Sequence, residues 1–344
     1  MPTGLYYSDS CLLHDTGDHP ESKQRLQAIM QRLRASGELD SLSYREAPAA
    51  GLGLVKSVHS PEYVDHLVRL AARGGGWLDP DTVVSSGSIE AALHAVGGTV
   101  QAAVDVATGE LANGFVAVRP PGHHAARARG MGFCLFNNIA IAARNLLTRG
   151  LASRVAIVDF DVHHGNGTQE VFYDDPSVLY FSTHQMPLYP GTGHYSETGK
   201  GPGHGYNVNV PLSLNVGDEG YLFAFESLLA PLLRRYRPDL LLVSAGYDAH
   251  WRDPLAGMRL TVPGFSRLTA EIGELARELC GGKVLFVLEG GYDLAALGSA
   301  VEATVKRLRG SQEVVTDPYG LPGDALGKDA VERAVEAIRR LHRL

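Results

Sequence analysis

Cysteine is scarce in this chain, which carries only Cys11, Cys134 and Cys280 among 344 residues. Their odd number, wide spacing and lack of a Cys-x-x-Cys pair argue against a disulfide framework and against a cysteine-rich zinc site. Long apolar runs are missing too, since no stretch approaches the ~20 apolar residues that cross a bilayer. No basic stretch followed by an apolar run opens the chain. The sequence therefore predicts a cytoplasmic protein with no membrane partner.

An excess of basic residues is also absent. The chain has 31 Lys and Arg against 38 Asp and Glu, a net charge of −7, which argues against nucleic acid as a partner. The 44% hydrophobic and 20% charged residues are typical of a globular protein. We expect a single catalytic domain over residues 1–344, with a linker-like segment at 309–327 and an amphipathic helix at 328–344. The sequence does not decide whether that helix docks on the core or mediates homo-oligomer formation.

Short, β-branched-rich apolar runs recur along the chain. Most are apolar throughout, which is typical of strands buried on both faces. The run at residues 206–210 instead alternates polar and apolar residues, which predicts an edge strand. The runs are residues 114–119, 154–160, 178–182, 206–210, 239–244 and 283–288. Helical patterns lie between most of them, at residues 86–108, 137–149, 219–235 and 264–280. This alternation predicts an α/β fold with a mostly parallel sheet and helices on both faces, while glycine-rich residues 73–76 and 191–205 indicate loops.

Polar and titratable side chains follow five of these predicted strands. Ligands of open parallel α/β sheets bind beyond the carboxyl ends of the strands, so these residues are candidates for one common site. The groups at the five strand ends are His123 and His124; Asp159, Asp161, His163 and His164; Thr183 and His184; Asp248 and His250; and Glu289 and Tyr292.

A metal site is the simplest use of such groups. In the sequence Asp161-x-His163 the two side chains lie on the same side of an extended chain and can reach one ion. Asp248 is the best candidate for a third ligand. Three oxygen and nitrogen ligands with an open position are typical of a catalytic zinc site. We therefore expect one zinc ion per chain, although the same ligands also hold iron(II).

Several motifs in this order resemble those of the zinc-dependent histone deacetylases, a family with acetylpolyamine amidohydrolases and bacterial deacetylase-like amidohydrolases among its members. The matching stretches are HPESKQRL (19–26), RPPGHHA (119–125), GMGFCLFNN (130–138), DFDVHHGNGTQ (159–169), YPGTG (189–193), NVNVPL (207–212), SAGYDAH (244–250), DPLAGM (253–258) and LEGGYD (288–293). The motifs HHGNGTQ and DPLAGM are similar to those of the class II and bacterial branches of this family. The resemblance implies an arginase/deacetylase-like three-layer fold, with about eight strands and one zinc on Asp161, His163 and Asp248.

The resemblance also implies catalytic roles for five residues. His124 matches the general base, and His123 its electrostatic and orienting partner. Tyr292 matches the hydroxyl donor to the oxyanion. Asp159 and Asn166 match the residues that hold His123 and His124. Asn166 departs from family members that have an aspartate here, but it is usual in the class II branch, and a neutral partner is expected to leave His124 less basic.

The substrate tunnel is implied in the same way. Phe133 and Tyr189 match the aromatic walls that hold a lysine stem, beside a thin wall at Gly132 and a rim at Leu255. Asp79 and Asp81, in the sequence WLDPDT, could bind the backbone of a peptide substrate or supply charge at the tunnel mouth. Arg25 resembles an arginine that lines a product channel, while an exposed helix charge is an equally good interpretation.

Sites for one or two structural K⁺ or Na⁺ ions are implied as well. Hard oxygen donors without thiolates suit such ions. The inner site matches Asp159, Asp161, His163, Ser182 and Thr183. The outer site matches Phe172, Asp175, Val178 and Tyr206, mostly through backbone carbonyls.

The expected reaction is hydrolysis of an acyl-lysine peptide or a small acylated amine, releasing acetate or another short acid. The alternative is an acetylpolyamine amidohydrolase, which needs acidic groups at the tunnel mouth; Leu255 is not acidic, but Asp79 and Asp81 could supply charge. A binuclear ureohydrolase would need a carboxylate where Gly165 stands. A non-catalytic acyl-lysine-binding module would be expected to have a damaged site, and every expected group is present.

Overall fold

A single eight-stranded sheet organises residues 1–344, all of which the computed structural model describes. Its strand order is β2-β1-β5-β10-β9-β6-β7-β8, and every neighbouring pair is parallel. A separate antiparallel hairpin consists of β3 and β4. The strands are β1 Thr3–Tyr7, β2 Ser43–Glu46, β3 Gly75–Asp79, β4 Thr82–Ser85, β5 Asn113–Ala117, β6 Val155–Asp159, β7 Val178–Gln185, β8 Asn207–Leu212, β9 Leu240–Ala245 and β10 Val284–Leu288.

Helices cover the sheet in two groups. Helices α4 and α5 pack on each other and against the strands, and α1, α9 and α10 form a second packed group. None of the helices is both long and apolar enough to cross a membrane. The helices are α1 Gln24–Ala35, α2 Leu52–Val55, α3 Pro61–Ala72, α4 Ser88–Thr108, α5 Asn138–Thr148, α6 Asn166–Phe172, α7 Asp218–Ala224, α8 Ala230–Tyr236, α9 Val262–Cys280, α10 Leu294–Leu308 and α11 Glu332–His342.

The central strands are the runs that are apolar throughout, and the sheet buries them on both faces. Every residue of β6, β7, β9 and β10 is buried. The predicted parallel α/β architecture is confirmed, and β8, which contains most of the alternating run, is at the sheet edge. Helix α11 contacts β8, with Val335 and Ile338 buried and Leu341 45% exposed. The helix therefore docks on its own chain and covers an edge that would otherwise offer unpaired backbone groups.

Three parts of the fold differ from the predicted elements. Strands β1 and β2 were not predicted, and the glycine-rich loop at residues 73–76 runs into the hairpin of β3 and β4. The single helix predicted at residues 219–235 is observed as α7 and α8, joined by a π-helical turn at Phe225–Leu229. Pro231 explains the turn, because it has no N–H to give to the carbonyl of Ser227. Arg339 of α11 donates to that carbonyl instead, at 2.7 Å.

The segment predicted as a linker contains no helix or strand, but it packs on the molecule. Val315 and Asp317 are buried, at 4% and 5% exposure. Its far end pairs with the loop after β8, where Leu326 donates to Asn215 O at 2.8 Å and accepts from Gly217 N at 2.9 Å.

Candidate active site

The carboxyl ends of β6 and β9 bring the three candidate metal ligands together. These strands are neighbours, so Asp161 and His163 after β6 meet Asp248 after β9. His163 Nδ1 lies 3.1 Å from Asp161 Oδ1 and 3.2 Å from Asp248 Oδ2. One ligand atom of each residue lies within 4.8 Å of the other two, and all three residues are buried.

This group of atoms fits a divalent cation. Asp248 Oδ1 accepts a hydrogen bond from Val162 N at 3.0 Å, whereas the buried Asp248 Oδ2 accepts no well-formed hydrogen bond and has the other ligand, His163 Nδ1, 3.2 Å away. Burial and the nearby Asp161 raise the pKa of Asp248, so a cation between these carboxylates would relieve an electrostatic cost. Glycine leaves the space: a Cβ at Gly246 would lie 2.0 Å from Asp161 Oδ2, and one at Gly290 would lie 2.0 Å from Asp248 Oδ2.

His123 and His124 stand beside the ligands and differ in protonation. His123 Nδ1 lies 3.1 Å from Asp159 Oδ2. Burial lowers the pKa of His123, but the charges of Asp161 and Asp159 outweigh it and raise the pKa to about 10. Burial and the positive charge of His123 lower the pKa of His124 well below its ordinary value. The pair therefore combines a charged imidazole with a neutral one.

The partner of His124 sets its tautomer. His124 Nδ1 lies 2.8 Å from Asn166 Oδ1, and an amide oxygen can only accept, so Nδ1 carries the proton. The remaining nitrogen, Nε2, is then unprotonated and can act as a base. His124 lines the cavity described below, where a base could reach a reacting water.

Asn166→Asp is expected to make His124 more basic. A carboxylate at Nδ1 stabilises the imidazolium, and an adjacent opposite charge raises a pKa by about 1–3 units. The unprotonated form would then be populated only at higher pH. In a pH profile of kcat/KM the acid limb should move to higher pH by about one unit. Asn166→Ser, which adds no charge, is the control, and an unmoved acid limb in Asn166→Asp would contradict the role of His124 as base.

The turn that carries the two histidines rests on a buried glutamate. Glu289 Oε2 accepts hydrogen bonds from Gly122 N at 2.6 Å and from His123 N at 3.2 Å. Glu289 is fully buried. The sequence identified Glu289 as a polar residue that follows a strand. Its hydrogen bonds to the turn after β5 were not predicted, because no local sequence pattern indicates them.

Arg25 is buried, which excludes its interpretation as an exposed helix charge. Its side chain is 0% exposed and pairs with Glu21 at 3.2 Å. Its Nε donates to Gly291 O at 2.7 Å, and its guanidinium lies 5.0 Å from the centre of the Tyr292 ring. It therefore lies beneath the site and supports the backbone next to Tyr292, rather than being an exposed helix charge.

A cavity of about 210 Å³ leads to the metal-binding group. All five residues predicted for the tunnel line it, together with both histidines of the turn, one predicted ligand and the tyrosine. These lining residues are Asp81, His123, His124, Gly132, Phe133, His163, Tyr189, Leu255 and Tyr292. The sequence patterns around separate strands therefore converge on a single space.

Tyr292 is positioned by an aspartate that sequence reasoning gave no role. Asp253 Oδ2 accepts from Tyr292 N at 2.7 Å, so the loop after β9 holds the loop after β10. Burial raises the pKa of Tyr292 well above its ordinary value, although Arg25 opposes this shift. The hydroxyl therefore stays protonated and available as a donor. The Phe133 ring stands nearly perpendicular to it, with ring centres 5.8 Å apart.

Gly132 forms the thin part of the wall for two reasons. Its φ of 55° lies in the left-handed region, and a Cβ there would lie 2.5 Å from His124 Cδ2 and 2.9 Å from Tyr189 Cε1. We expect Gly132→Ala to reduce kcat/KM on an acetyl-lysine peptide by about 30-fold, since backbone strain and displacement of His124 each cost about 1 kcal/mol. Gly191→Ala is the control, because Gly191 also has a positive φ but nothing lies near its Cβ. Equal losses in both variants would show that strain alone matters.

The residues predicted for the monovalent cation sites lie in two groups. Asp159 and Ser182 are register partners on β6 and β7, and the buried Thr183 Oγ1 has no hydrogen-bond partner. In the outer group Asp175 N donates to Phe172 O at 3.1 Å and Val178 N to Asp175 O at 3.4 Å, while Tyr206 O accepts from Tyr180 N at 2.9 Å. Cation binding at either group stays a prediction.

Comparison with known proteins agrees with this architecture. Residues 19–308 match the histone deacetylase domain. The chain is 42% identical over 297 residues to a probable deacetylase of Archaeoglobus fulgidus, covering 86% of this chain and 82% of that protein. It is 38% identical to the chloroplastic histone deacetylase 10 of Oryza sativa subsp. japonica, covering 99% and 81%. The crystal structure of the HDA15 HD domain matches with a TM-score of 0.89 and 37% identity, covering 99% of this chain and 96% of that chain.

The parallel sheet and its flanking helices define an α/β enzyme of the arginase and deacetylase architecture. Within that class, the chain belongs to the histone deacetylase family, a family of hydrolases that remove acyl groups from lysine amides. The resemblance drawn from the motifs is confirmed.

Proposed function

We propose that this protein is a zinc-dependent hydrolase of the amide bond in acyl-lysine or a similar acylated amine. The observation that carries the proposal is the buried group of Asp161, His163 and Asp248, whose His163 lines the same cavity as His124 and Tyr292. When bound, zinc supplies Lewis acidity to the acyl carbonyl and lowers the pKa of the attacking water. Three protein ligands leave a position open for that chemistry.

The chain's own groups move the protons. His124, neutral at Nε2, takes a proton from the attacking water and returns it to the leaving amine. Charged His123, held by Asp159, keeps positive potential beside the developing negative charge. Tyr292, held protonated by its surroundings, donates its hydroxyl to the oxyanion from the cavity wall, and such donors typically contribute ~10²–10³ in rate.

The cavity walls favour an aliphatic stem that ends in the amide. Phe133, Leu188 and Leu255 supply apolar surface near the opening, and Tyr189 is 37% exposed there. This lining suits the methylene chain of lysine, which buries apolar area while its ends remain polar. Asp81 lines the same opening and can accept backbone N–H groups of a peptide.

An acetylpolyamine is the second candidate substrate, because Asp79 and Asp81 place acidic groups near the mouth. Aspartates at a tunnel mouth attract the free ammonium groups of a polyamine as well as a basic peptide. Leu255 on the rim opposes this reading, since it offers no charge to a second ammonium.

Kinetic measurements on the purified protein distinguish these candidate substrates. The metal content should be measured first and is expected to be one zinc per chain, with iron(II) as the competing occupant. Values of kcat/KM are then compared on acetyl-lysine peptides, longer acyl-lysine peptides and acetylated polyamines. A higher kcat/KM on polyamines would select the second candidate, and a stoichiometrically loaded protein that hydrolyses none of these would refute the proposed reaction.

Four further assignments belong to this proposal. They are a single catalytic domain over residues 1–344, a cytoplasmic location, K⁺ or Na⁺ at the two predicted cation sites, and the absence of a nucleic-acid partner. The rice relative is named chloroplastic, so the compartment needs its own measurement. Homo-oligomer formation is tested by the mass of the protein in solution.

A further inference from the structure

The segment at residues 311–327, here called the strap, crosses the carboxyl-end loops of the sheet. It has little hydrophobic anchoring of its own, since Val315 is buried but Val314 is 60% and Leu321 75% exposed. Its contacts with the molecule are mainly polar. The polar side chains of the strap therefore determine which loops of the molecule it stabilises.

Asp317 is the central contact of the strap. Its Oδ2 lies 2.8 Å from His250 Nε2 and accepts from Val262 N at 3.0 Å. His250 Nδ1 accepts from Arg252 N at 3.1 Å, so His250 carries a proton on Nε2 and donates it to Asp317. His250 is 1% and Asp317 5% exposed. One carboxylate oxygen thus joins the loop after β9 to the start of α9.

That loop carries the proposed metal ligand Asp248, two residues before His250. Around them the backbone is paired with the chain before α9: Leu260 N donates to Ala249 O at 3.1 Å, and Trp251 N donates to Leu260 O at 2.9 Å. The His250 side chain points from this paired segment to Asp317. The strap therefore holds this loop through the contact of Asp317 with His250.

The strap also reaches the second loop of the site. Tyr319 donates its hydroxyl to the Asp293 carboxylate, with oxygen separations of 3.0 and 3.1 Å. Asp293 adjoins Tyr292 and caps helix α10 at Ala296 N, 2.9 Å away. The Arg252 guanidinium, which lies 5.1 Å from the centre of the Tyr319 ring, links this contact back to the loop after β9.

We propose that Asp317 is a positioning residue: through His250 it fixes the loop that presents Asp248, and the strap is thereby part of the active-site support. The inference rests on the proposed function, because it assumes that Asp248 is a metal ligand, but its effect on metal binding does not require that the protein hydrolyse an acyl-amine. Neighbours that orient metal ligands typically contribute 10–100-fold to metal affinity. Asp317 acts through one more residue, so the lower end of that range is expected.

The test compares three variants of the full chain. Asp317→Ala is expected to weaken zinc binding about tenfold in a chelator competition, and to lower kcat about tenfold while KM changes less than twofold. Asp317→Asn keeps an acceptor for His250 and should restore most of both values. Asp324→Asn is the matched control on the same strap, because Asp324 makes only an exposed pair with Arg259; it should match the wild type.

A purely structural role gives a different pattern. It would lower the midpoint of thermal unfolding, but the folded protein would bind zinc and turn over like the wild type, and that result overturns the proposal. If Asp317→Ala does not fold, Tyr319→Phe carries the test. This variant removes the hydroxyl that the strap places on Asp293, so it should lower kcat but leave zinc affinity unchanged, and a wild-type kcat would also overturn the proposal.

The zinc measurement keeps the two proposals separate. It is made without substrate, so a wild-type protein that binds zinc yet hydrolyses no acyl-amine refutes the function but leaves the role of Asp317 testable. Equal zinc affinity in Asp317→Ala and Asp324→Asn refutes the role of Asp317 and leaves the proposed function intact.

Discussion

Asp248→Asn is expected to release zinc and abolish turnover while the metal-free protein stays folded. Asparagine keeps an oxygen for Val162 N, which Asp248 Oδ1 accepts at 3.0 Å, but removes the negative charge that faces the metal position. Loss of a direct ligand should exceed the ~10–100-fold cost of losing an outer partner. We therefore expect zinc affinity to fall by more than ~100-fold and activity in proportion.

The stability of the metal-free protein makes this prediction specific. Burial and Asp161 raise the pKa of Asp248, so its charged form is costly when no cation is present. Metal-free Asp248→Asn should then unfold at a temperature equal to or above that of the metal-free wild type. The stabilisation that added zinc gives the wild type, which follows RT ln(1 + [Zn]/Kd), should disappear in the variant.

Asp239→Asn provides the control for Asp248→Asn. Asp239 is exposed and precedes β9. It accepts from Ser153 N and Arg154 N, which precede the neighbouring strand β6. These contacts lie at the amino ends of the two strands, whereas the metal ligands follow their carboxyl ends. Metal content and turnover should equal those of the wild type. Zinc at full occupancy in purified Asp248→Asn would contradict the assignment of Asp248 as a ligand.

The sequence predicted the central strands because their burial is visible locally. Strands β6, β7, β9 and β10 are apolar on both faces, and this composition follows directly from a position inside a parallel sheet. Strand β2 is half exposed, with Tyr44 46% exposed, and its four residues carry no such pattern. The hairpin strands β3 and β4 have five and four residues, most of them only half-buried, and Trp77 among them is exposed. Their pairing depends on partners that a local pattern does not contain.

The site was predictable to the extent that its residues stand at strand ends. Asp161, His163 and Asp248 come together because β6 and β9 are neighbours in the sheet. The motifs predicted that these three residues bind one ion through the family resemblance. The supporting residues are different. Glu289 holds a turn 166 residues away, and Asp317 holds His250 across 67 residues. No spacing rule connects such partners, so only the folded chain reveals their contacts.

Tyr292→Phe is expected to reduce kcat by about 10²–10³-fold, the usual effect of losing one oxyanion donor. The hydroxyl is the only group removed. Asp253 still accepts from the Tyr292 backbone at 2.7 Å, and the Phe133 ring retains its neighbour. Zinc content should therefore stay at the wild-type level, and the KM for an acetyl-lysine peptide should change far less than kcat, because the donor acts on charge that develops only in the transition state.

The control for Tyr292→Phe removes a hydroxyl at the opposite end of the sheet. Tyr236 donates to Pro176 O at 3.1 Å, just before β7 begins, and Tyr236→Phe should leave kcat unchanged. A Tyr292→Phe enzyme with wild-type kcat and full zinc would eliminate the hydroxyl as an oxyanion donor. His124 would then be the only group proposed to transfer protons, and the titration of its imidazole, which Asn166→Asp is expected to shift, would have to account for the whole acid limb of kcat/KM.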